Sequence, residues 1–161
     1  MSKKGILLAS GGLDSTTLAY WLDNEGIEYI PLFINYGQHC AEIELETLRK
    51  VLPTKKQDQI EVIDVSSIYK KSKSRFIIEA DLWHEHVEAD DLYLPYRNIL
   101  LLTIAASYAQ TINYSFVFSA FINSNHAKEI DCSTSFFKSM EQILDNYGSI
   151  HIEMPFLTFS K

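Results

Sequence analysis

A glycine-containing turn separates an apolar segment from an amphipathic one near the start of the sequence. Gly5–Ala9 is apolar at every position rather than at alternate positions, which predicts a strand buried on both faces of a parallel sheet. Ser10–Ser15 follows directly, and Leu18, Ala19 and Leu22 then recur at helical spacing. The pattern predicts a strand, a glycine loop and a helix in succession.

The alternation of strand and helix patterns continues along the chain. Apolar runs predict further strands, and helical spacing predicts further helices. The strands are Tyr29–Ile34, Ile60–Val65, Ser115–Phe121 and Ile150–Met154; the helices run through Ala41–Leu52 and Arg97–Ile112, with a last one carrying Phe136, Met140, Ile143 and Tyr147 along one side. The polar stretch Ser66–Leu94 predicts a short helix followed by a long surface loop.

Residues with known preferences for helix ends set the expected boundaries. Asp14 or Ser15 is the expected N-cap of the first helix, and Gly26 is its expected stop. Pro53 is expected to end the second helix and Gly148 the last one.

Strands that alternate with helices predict an α/β fold, with a Rossmann-like parallel sheet covered by helices on both faces. Ligands of such sheets bind outside the carboxyl ends of the strands. The glycine loop, Asn35–Gln38 and the segment after Phe118 are therefore expected to meet there.

Length and charge limit the class of protein. A chain of 161 residues predicts a single domain spanning 1–161, and its net charge of -7 argues against a broad nucleic-acid surface or binding to an anionic membrane. The longest apolar run, Ile99–Ala106, is much shorter than the roughly 20 residues of a membrane span. The two cysteines, Cys40 and Cys132, and the lack of a secretory pattern predict a cytoplasmic protein.

The glycine loop has the chemistry of a phosphate site. Gly11 and Gly12 let the backbone turn tightly and bring its N–H groups against an anion, while the following helix adds its positive end. The hydroxyl-bearing residues Ser10, Ser15, Thr16 and Thr17 surround the same position. The loop matches neither GxxxxGK[ST] nor GxGxxG. The alternative is a simple strand-to-helix turn, but the whole string in this context favours phosphate binding.

Ser10–Thr17 resembles the SGGxDS loop of the PP-loop, or N-type ATP pyrophosphatase, enzymes. The string is especially similar to that of the QueC or ExsB family of 7-cyano-7-deazaguanine synthases. Further segments match that family in the same order: Asn35-Tyr36-Gly37-Gln38-His39 with Ala41-Glu42, then Leu94-Pro95-Tyr96-Arg97-Asn98, then Ile130-Asp131-Cys132. The resemblance covers nearly the whole chain and implies an adenine nucleotide alpha hydrolase-like domain.

The resemblance also implies a carbon–nitrogen ligase that uses ATP and Mg²⁺. A carboxylate of a 7-deazaguanine attacks the α-phosphorus of ATP and releases pyrophosphate, ammonia displaces AMP, and a second ATP activates the amide for dehydration to a nitrile. The small-molecule carboxylate and ammonia are thus the implied partners. Positioning and charge neutralisation would carry this catalysis without a nucleophilic side chain.

The resemblance assigns roles to particular residues. The nucleotide site comprises Ala9, Ser10, Gly11, Gly12, Leu13, Asp14, Ser15, Thr16 and Thr17, and the substrate site comprises Tyr36, Gly37, Gln38, Arg97, Asn98 and Asp131. Asp14, Ser15, Arg97 and Lys161 also count as catalytic, with Asp14 orienting the loop or holding Mg²⁺. The planar guanidinium of Arg97 matches the oxygens of an anion, although a salt bridge at a helix start is the alternative. Lys161 would neutralise phosphate charge.

The sequence also departs from this family. Its members continue into a cysteine cluster that binds zinc, whereas Cys40 and Cys132 alone predict no zinc site here. Ser119–Asn125 lacks the glycine and acidic residues of the deazaguanine pocket, and Ser133 replaces a usual arginine. The alternatives are therefore another carboxylate substrate or a non-catalytic nucleotide-binding subunit. A homodimer, or a partner supplying the missing C-terminal region, is also expected.

Three weaker readings remain. A PP-loop enzyme that modifies tRNA is disfavoured by the acidic balance and by the absence of a cysteine pair for sulfur transfer. His84-Glu85-His86 places two histidines on one side of a strand, but a solvated loop is favoured over a metal pair. His39 and Cys40 are adjacent and would point in different directions on a helix, which argues against a catalytic dyad.

Overall fold

The computed structural model describes residues 2–121 and 133–157, in which strands and helices alternate as the sequence predicts. The strands are β1 (Lys4–Leu8), β2 (Glu28–Asn35), β3 (Glu61–Asp64), β4 (Phe116–Phe118) and β5 (His151–Glu153). The helices are α1 (Leu13–Asn24), α2 (Ala41–Val51), α3 (Thr54–Gln57), α4 (Arg97–Thr111) and α5 (Thr134–Gly148), with 3₁₀ turns at Ser66–Tyr69 and Ala89–Leu92.

The strands form one parallel sheet in the order β3-β2-β1-β4-β5. Strand β1 lies at the centre, where Ile6 is opposite Ile30 on one side and Val117 on the other. The glycine loop therefore leaves the middle of the sheet at its carboxyl edge. This arrangement confirms the predicted α/β class with a parallel, Rossmann-like sheet.

Alternate side chains of the central strands enter cores on opposite faces of the sheet. Ile6, Leu32 and Val117 join the core that packs on α4 and α5. Leu7, Phe33 and Phe118 join the core on the α1 and α2 side. Each of these side chains is at most 2% exposed, which explains why the strands are apolar at every position.

Helix α1 begins earlier than predicted. Its N-cap is Gly12, not Asp14 or Ser15, and the Thr16 amide donates to the Gly12 carbonyl at 3.1 Å. Gly11 adopts a φ of 81°, so the reversal from strand to helix is complete before Leu13. Asp14 therefore lies in the first helical turn, where the positive end of the helix dipole interacts favourably with its negative charge.

Helix α5 differs from its prediction in packing and at its end. Met140 is buried as expected, but Phe137 occupies the core, whereas Ile143 and Tyr147 are 53% and 90% exposed. Gly148 is still helical, and the left-handed residue that follows the helix is Ser149, with a φ of 55°. The apolar pattern alone placed the buried stripe about one position away from the true one.

The stretch between Ser66 and Leu94 packs more closely than a surface loop would. Tyr69, Ser74 and Leu94 are buried. The Tyr69 hydroxyl donates to the Pro95 carbonyl at 2.7 Å, and the Arg75 amide donates to the Asp91 carbonyl at 2.7 Å. The first of these bonds joins the segment, called the 66–94 segment below, to the residues just before α4, and the second closes the segment on itself.

No helix within the described part of the chain combines the length and apolar character that a membrane crossing requires.

Candidate functional site

A cavity of about 340 Å³ opens at the carboxyl ends of β1, β2 and β4. This volume falls in the range of small-molecule sites, and the location is the one expected for a parallel sheet. Its walls come from the glycine loop, the end of β2, the start of α2, the start of α4 and the segment after β4. The residues are Leu8, Ala9, Ser10, Asp14, Ser15, Leu32, Phe33, Ile34, Tyr36, Gln38, Glu44, Arg97, Asn98, Leu101, Ser119, Ala120 and Phe121.

The glycine loop is shaped by a close approach to helix α2. Gly11 has a left-handed φ of 81°, and a Cβ atom built there would lie 2.7 Å from the Glu44 carbonyl oxygen. Gly12 has an ordinary φ of -74° and, as the N-cap of α1, offers no side chain to accept from the first helical amides. The first amides of α1 therefore lack a side-chain cap, as in helix ends that receive an anion.

The hydroxyl groups of the loop bond mainly within the loop itself. Ser15 is 7% exposed and accepts from the Ser10 amide at 3.3 Å. Thr16 donates to the Gly12 carbonyl at 2.7 Å, and Thr17 donates to the Leu13 carbonyl at 2.8 Å. Ser15 also lines the cavity, so its hydroxyl group is the best placed of the three to meet a ligand.

The turn after β2 is held by the side chain of Gln38. Its carboxamide oxygen accepts from the Tyr36 amide at 2.9 Å, and its nitrogen donates to the Ile34 carbonyl at 3.3 Å and to Glu44 Oε2 at 3.0 Å. Gly37, with a φ of 91°, passes so close to Ser66 that a Cβ atom would lie 2.9 Å from its carbonyl oxygen. Gln38 thus builds the cavity wall and presents Tyr36.

Sequence reasoning missed Glu44, a cavity residue in the first turns of α2. Its carboxylate accepts from Gln38 and, at 3.3 Å, from the thiol of Cys40. Burial and this carboxylate raise the pKa of Cys40 to about 11, so the thiol is protonated at neutral pH. With His39 exposed and Cys40 bonded to Glu44, the geometry agrees with the rejection of a nucleophilic dyad. The spacing of Cys40 and Glu44, four positions apart at the start of α2, was the available signal.

Arg97 opens helix α4 and faces the cavity. The preceding residue, Tyr96, adopts a left-handed φ of 56° and acts as the N-cap. The guanidinium carbon lies 4.6 Å from the centre of the Phe76 ring, and the same cation opposes the rise in the pKa of Tyr36 that burial causes. Arg97 is therefore set between two aromatic residues. Phe76 was not identified from the sequence.

The remaining wall combines buried polar groups with an aromatic end. Asn98 and Ser119 are 1% and 2% exposed, and both line the cavity. Phe121 also lines it and stacks on Phe137 with ring centres 5.2 Å apart. A flat ligand with a few polar groups fits such a lining.

The cavity brings together many of the predicted site residues. Those that line it are Ala9, Ser10, Asp14, Ser15, Tyr36, Gln38, Arg97 and Asn98. Gly11, Gly12, Leu13, Thr16, Thr17 and Gly37 belong to the same two turns without lining it. Asp131 and Lys161 lie outside the described residues, as does the matched segment Ile130–Cys132. Their roles stay predictions.

The histidines of the 66–94 segment lie away from this cavity. The side chains of His84 and His86 are 81% and 86% exposed and pair with Asp81 and Glu88. Among residues 2–121 and 133–157, no three His, Cys, Asp or Glu side chains gather as a metal site would require.

Comparison with curated proteins gives relatives that span nearly the whole chain. The 7-cyano-7-deazaguanine synthase of Methanosphaerula palustris is 28% identical over 98% of this chain and 75% of that protein. The 7-cyano-7-deazaguanine synthase of Marinomonas sp. is 31% identical over 100% of this chain and 75% of that protein. Both relatives are synthases by name.

Solved structures share the fold at low sequence identity. A predicted subunit of a tRNA methyltransferase from Methanocaldococcus jannaschii matches 98% of this chain and 70% of its own, with a TM-score of 0.58 and 19% identity. A 4-thiouridine synthetase in complex with RNA and bound ATP matches 98% of this chain and 38% of its own, with a TM-score of 0.61 and 13% identity.

The family model described as "Queuosine biosynthesis protein QueC" matches residues 4–161. With this match and the synthases above, the chain belongs to the QueC family.

Proposed function

We propose that this protein is an ATP-dependent, AMP-forming ligase that converts the carboxylate of a 7-deazaguanine to a nitrile, with ammonia as the nitrogen donor. The observation that carries the proposal is the glycine loop at the mouth of the cavity, in a chain of the QueC family. The name of its relatives, 7-cyano-7-deazaguanine synthase, gives the substrate class.

ATP binding is supported by the loop and by a structural neighbour. Gly11 and Gly12 place an uncapped helix end beside the cavity, a cradle that suits the β- and γ-phosphates. The 4-thiouridine synthetase that shares this fold was solved with bound ATP. The nucleotide set from Ala9 to Thr17 would hold the triphosphate, with Ser15 nearest to the reacting centre.

The chemistry needs a site that brings two anions together. The substrate carboxylate attacks the α-phosphorus of ATP, the bond to the β-phosphate oxygen breaks, and pyrophosphate leaves. Ammonia then displaces AMP from the acyl-adenylate to give the amide. The amide oxygen attacks the α-phosphorus of a second ATP and releases a second pyrophosphate, and loss of AMP together with the two amide N–H protons gives the nitrile. Arg97 supplies a fixed positive charge for the carboxylate or the α-phosphate. Tyr36, Gly37, Gln38 and Asn98 form the side on which the heterocycle would lie.

A divalent cation fits the acidic residues of the cavity. Asp14 and Glu44 both line it, and Mg²⁺ is usually held by one or two carboxylates together with substrate phosphates. Mg²⁺ would shield the charge of the triphosphate, while Asp14 also belongs to the first turn of α1. The described residues present no comparable set for zinc.

The proposal is tested by incubating the full chain with ATP, Mg²⁺, ammonium and 7-carboxy-7-deazaguanine. We expect the release of pyrophosphate and AMP. The heterocyclic product should be lighter than the substrate by the mass difference between a carboxylic acid and a nitrile. If the protein consumes ATP only with a different carboxylic acid, the substrate assignment is wrong. Nucleotide binding without AMP would overturn the ligase assignment.

Matched variants connect the activity to the cavity. Ser15→Ala and Arg97→Met should each lower kcat by about 100-fold, because each removes a group directed at the reacting anions. Thr111→Ala removes a hydroxyl group that bonds to the Ser107 carbonyl at 2.8 Å on the exposed side of α4. This control should retain full activity.

A further inference from the structure

We propose that Phe76 is a positioning residue that acts through Arg97, and that the 66–94 segment thereby forms part of the active site. This inference rests on the proposed function, in which Arg97 contacts a reacting anion. Phe76 does not itself line the cavity.

The contact between the two side chains has the geometry of a cation–π interaction. The guanidinium carbon of Arg97 lies 4.6 Å from the centre of the Phe76 ring, well inside the usual limit of about 6 Å. Both residues are half-buried, which strengthens the attraction relative to an exposed pair. The ring face therefore limits the rotamers open to a long side chain that otherwise would sample many.

The backbone that carries the Phe76 ring is held by hydrogen bonds at both its carbonyl and its amide. The His39 amide donates to the Phe76 carbonyl at 2.8 Å, which links the segment to the turn that carries Tyr36 and Gln38. On the other side, the Phe76 amide donates to Ser74 Oγ at 3.3 Å, and Ser74 is only 7% exposed. The ring is thus attached to one cavity wall while it contacts the cation of another.

Two separate segments of the chain each bring an aromatic side chain close to Arg97. Tyr36 belongs to the turn after β2, and the Arg97 charge acts on its phenol. Phe76 belongs to the 66–94 segment, which Tyr69 joins to the start of α4 through the Pro95 carbonyl. Aromatic residues distant from Arg97 in sequence therefore restrict the orientation of its side chain. When an anion enters the cavity, that side chain loses little further conformational freedom.

The kinetic test compares Phe76→Leu, which keeps apolar bulk, with Phe76→Tyr, which keeps the ring. We expect Phe76→Leu to lower kcat by about 10-fold and Phe76→Tyr to stay within about twofold of the parent protein. In the Arg97→Met background, which lacks the cation, the same Phe76→Leu change should have less than half of that effect on a logarithmic scale. Equal losses in both backgrounds, or equal losses for Leu and Tyr, would overturn the proposal.

A second readout does not depend on turnover. In the NMR spectrum of ¹⁵N-labelled protein, the Arg97 side-chain Nε–H proton should resonate upfield because it lies near a ring face, and Arg97→Lys identifies its signal. Phe76→Leu should abolish that shift while Phe76→Tyr retains it. An unshifted signal in the parent protein refutes the positioning role. A shifted signal in a protein without ligase activity supports the contact and counts against the proposed function alone.

Discussion

Two neighbouring glycines are required for different reasons. Gly11 combines a φ of 81° with a backbone approach that leaves no room for a methyl group beside the Glu44 carbonyl. Gly12 has a φ that any residue adopts, and a Cβ atom there meets only Ser10 Oγ, at 3.3 Å. Folding therefore restricts Gly11, whereas at Gly12 the requirement for glycine follows from the proposed approach of the phosphates.

The pair Gly11→Ala and Gly12→Ala separates these requirements. Gly11→Ala should cost about 2 kcal/mol or more of unfolding free energy, because the methyl group is strained and in contact with backbone. Gly12→Ala should change stability by less than about 1 kcal/mol, yet weaken ATP binding by about 10-fold through contact with the phosphates. Urea unfolding and titration calorimetry measure the two effects. Intact ATP affinity in Gly12→Ala contradicts the phosphate assignment.

Cys40 is a cavity-side thiol that the protein keeps protonated. Its pKa is raised from 9.0 to about 11 by burial first and by the Glu44 carboxylate second. Because the folded-state pKa is the higher one, the stabilising effect of the protonated thiol is complete below about pH 9 and is lost as the pH rises through about 11.

Alkylation measures this protection directly. In a Cys132→Ala protein at pH 8, iodoacetamide should modify Cys40 much more slowly than it modifies a free thiol, because little thiolate is present. Glu44→Gln should increase the rate several-fold, since each unit by which the pKa falls gives about ten times more thiolate. Glu46→Gln, on the same helix, is the matched control. A rate that is unchanged in Glu44→Gln contradicts the role of the carboxylate.

At the scale of elements, local patterns predicted what local interactions determine. Strands β1 and β2 and helix α4 follow from apolar runs and helical spacing, because their burial depends on position within one element. Phe76 could not be placed in this way, since its contact with Arg97 joins two segments 21 positions apart with no shared period. Glu44 was missed because its role depends on the turn that Gln38 builds.

Helix α5 shows the same limit within one element. Its apolar residues outnumber the positions that face the core, so periodicity did not distinguish Phe137, which is 1% exposed, from Tyr147, which is 90% exposed. The choice was made by tertiary packing against α4 and Phe121.

Alanine substitutions on α5 should reproduce this division. Phe137→Ala should lower the free energy of unfolding by about 3–5 kcal/mol, because it leaves a cavity in the core. Tyr147→Ala should change it by less than about 0.5 kcal/mol, because the ring is in solvent. Chemical denaturation of the two variants gives the comparison. A large loss for Tyr147→Ala would mean that this surface is covered in solution.

For the whole molecule, net charge argues against a broad RNA-binding surface. The net charge is -7, with 21 acidic and 14 basic side chains in the sequence. Several lysines are also engaged: Lys3 pairs with Glu153, Lys4 with Glu28, and Lys55 with Asp23. Such a surface repels a polyanion at long range.

We accordingly expect only weak, nonspecific binding to tRNA. At physiological salt the dissociation constant should be about 10⁻⁴ M or weaker, the poor end of nonspecific affinities. Fluorescence anisotropy with labelled tRNA measures it, and a free deazaguanine carboxylate added at saturation should make no difference. Micromolar affinity that falls steeply with added salt would instead indicate a basic surface for RNA.

Because β1 lies at the centre of the sheet, the order of translation determines when the cavity can first form. Gly5 lies opposite Tyr29, which is translated soon after it, and opposite Phe116, which is translated much later. The cavity needs Arg97 from α4 and Phe121 from beyond β4 as well as the glycine loop. On the ribosome the glycine loop is thus translated long before its pocket exists. Under the proposed function, ATP would therefore stabilise the assembled sheet by mass action and give no help to the nascent N-terminal half.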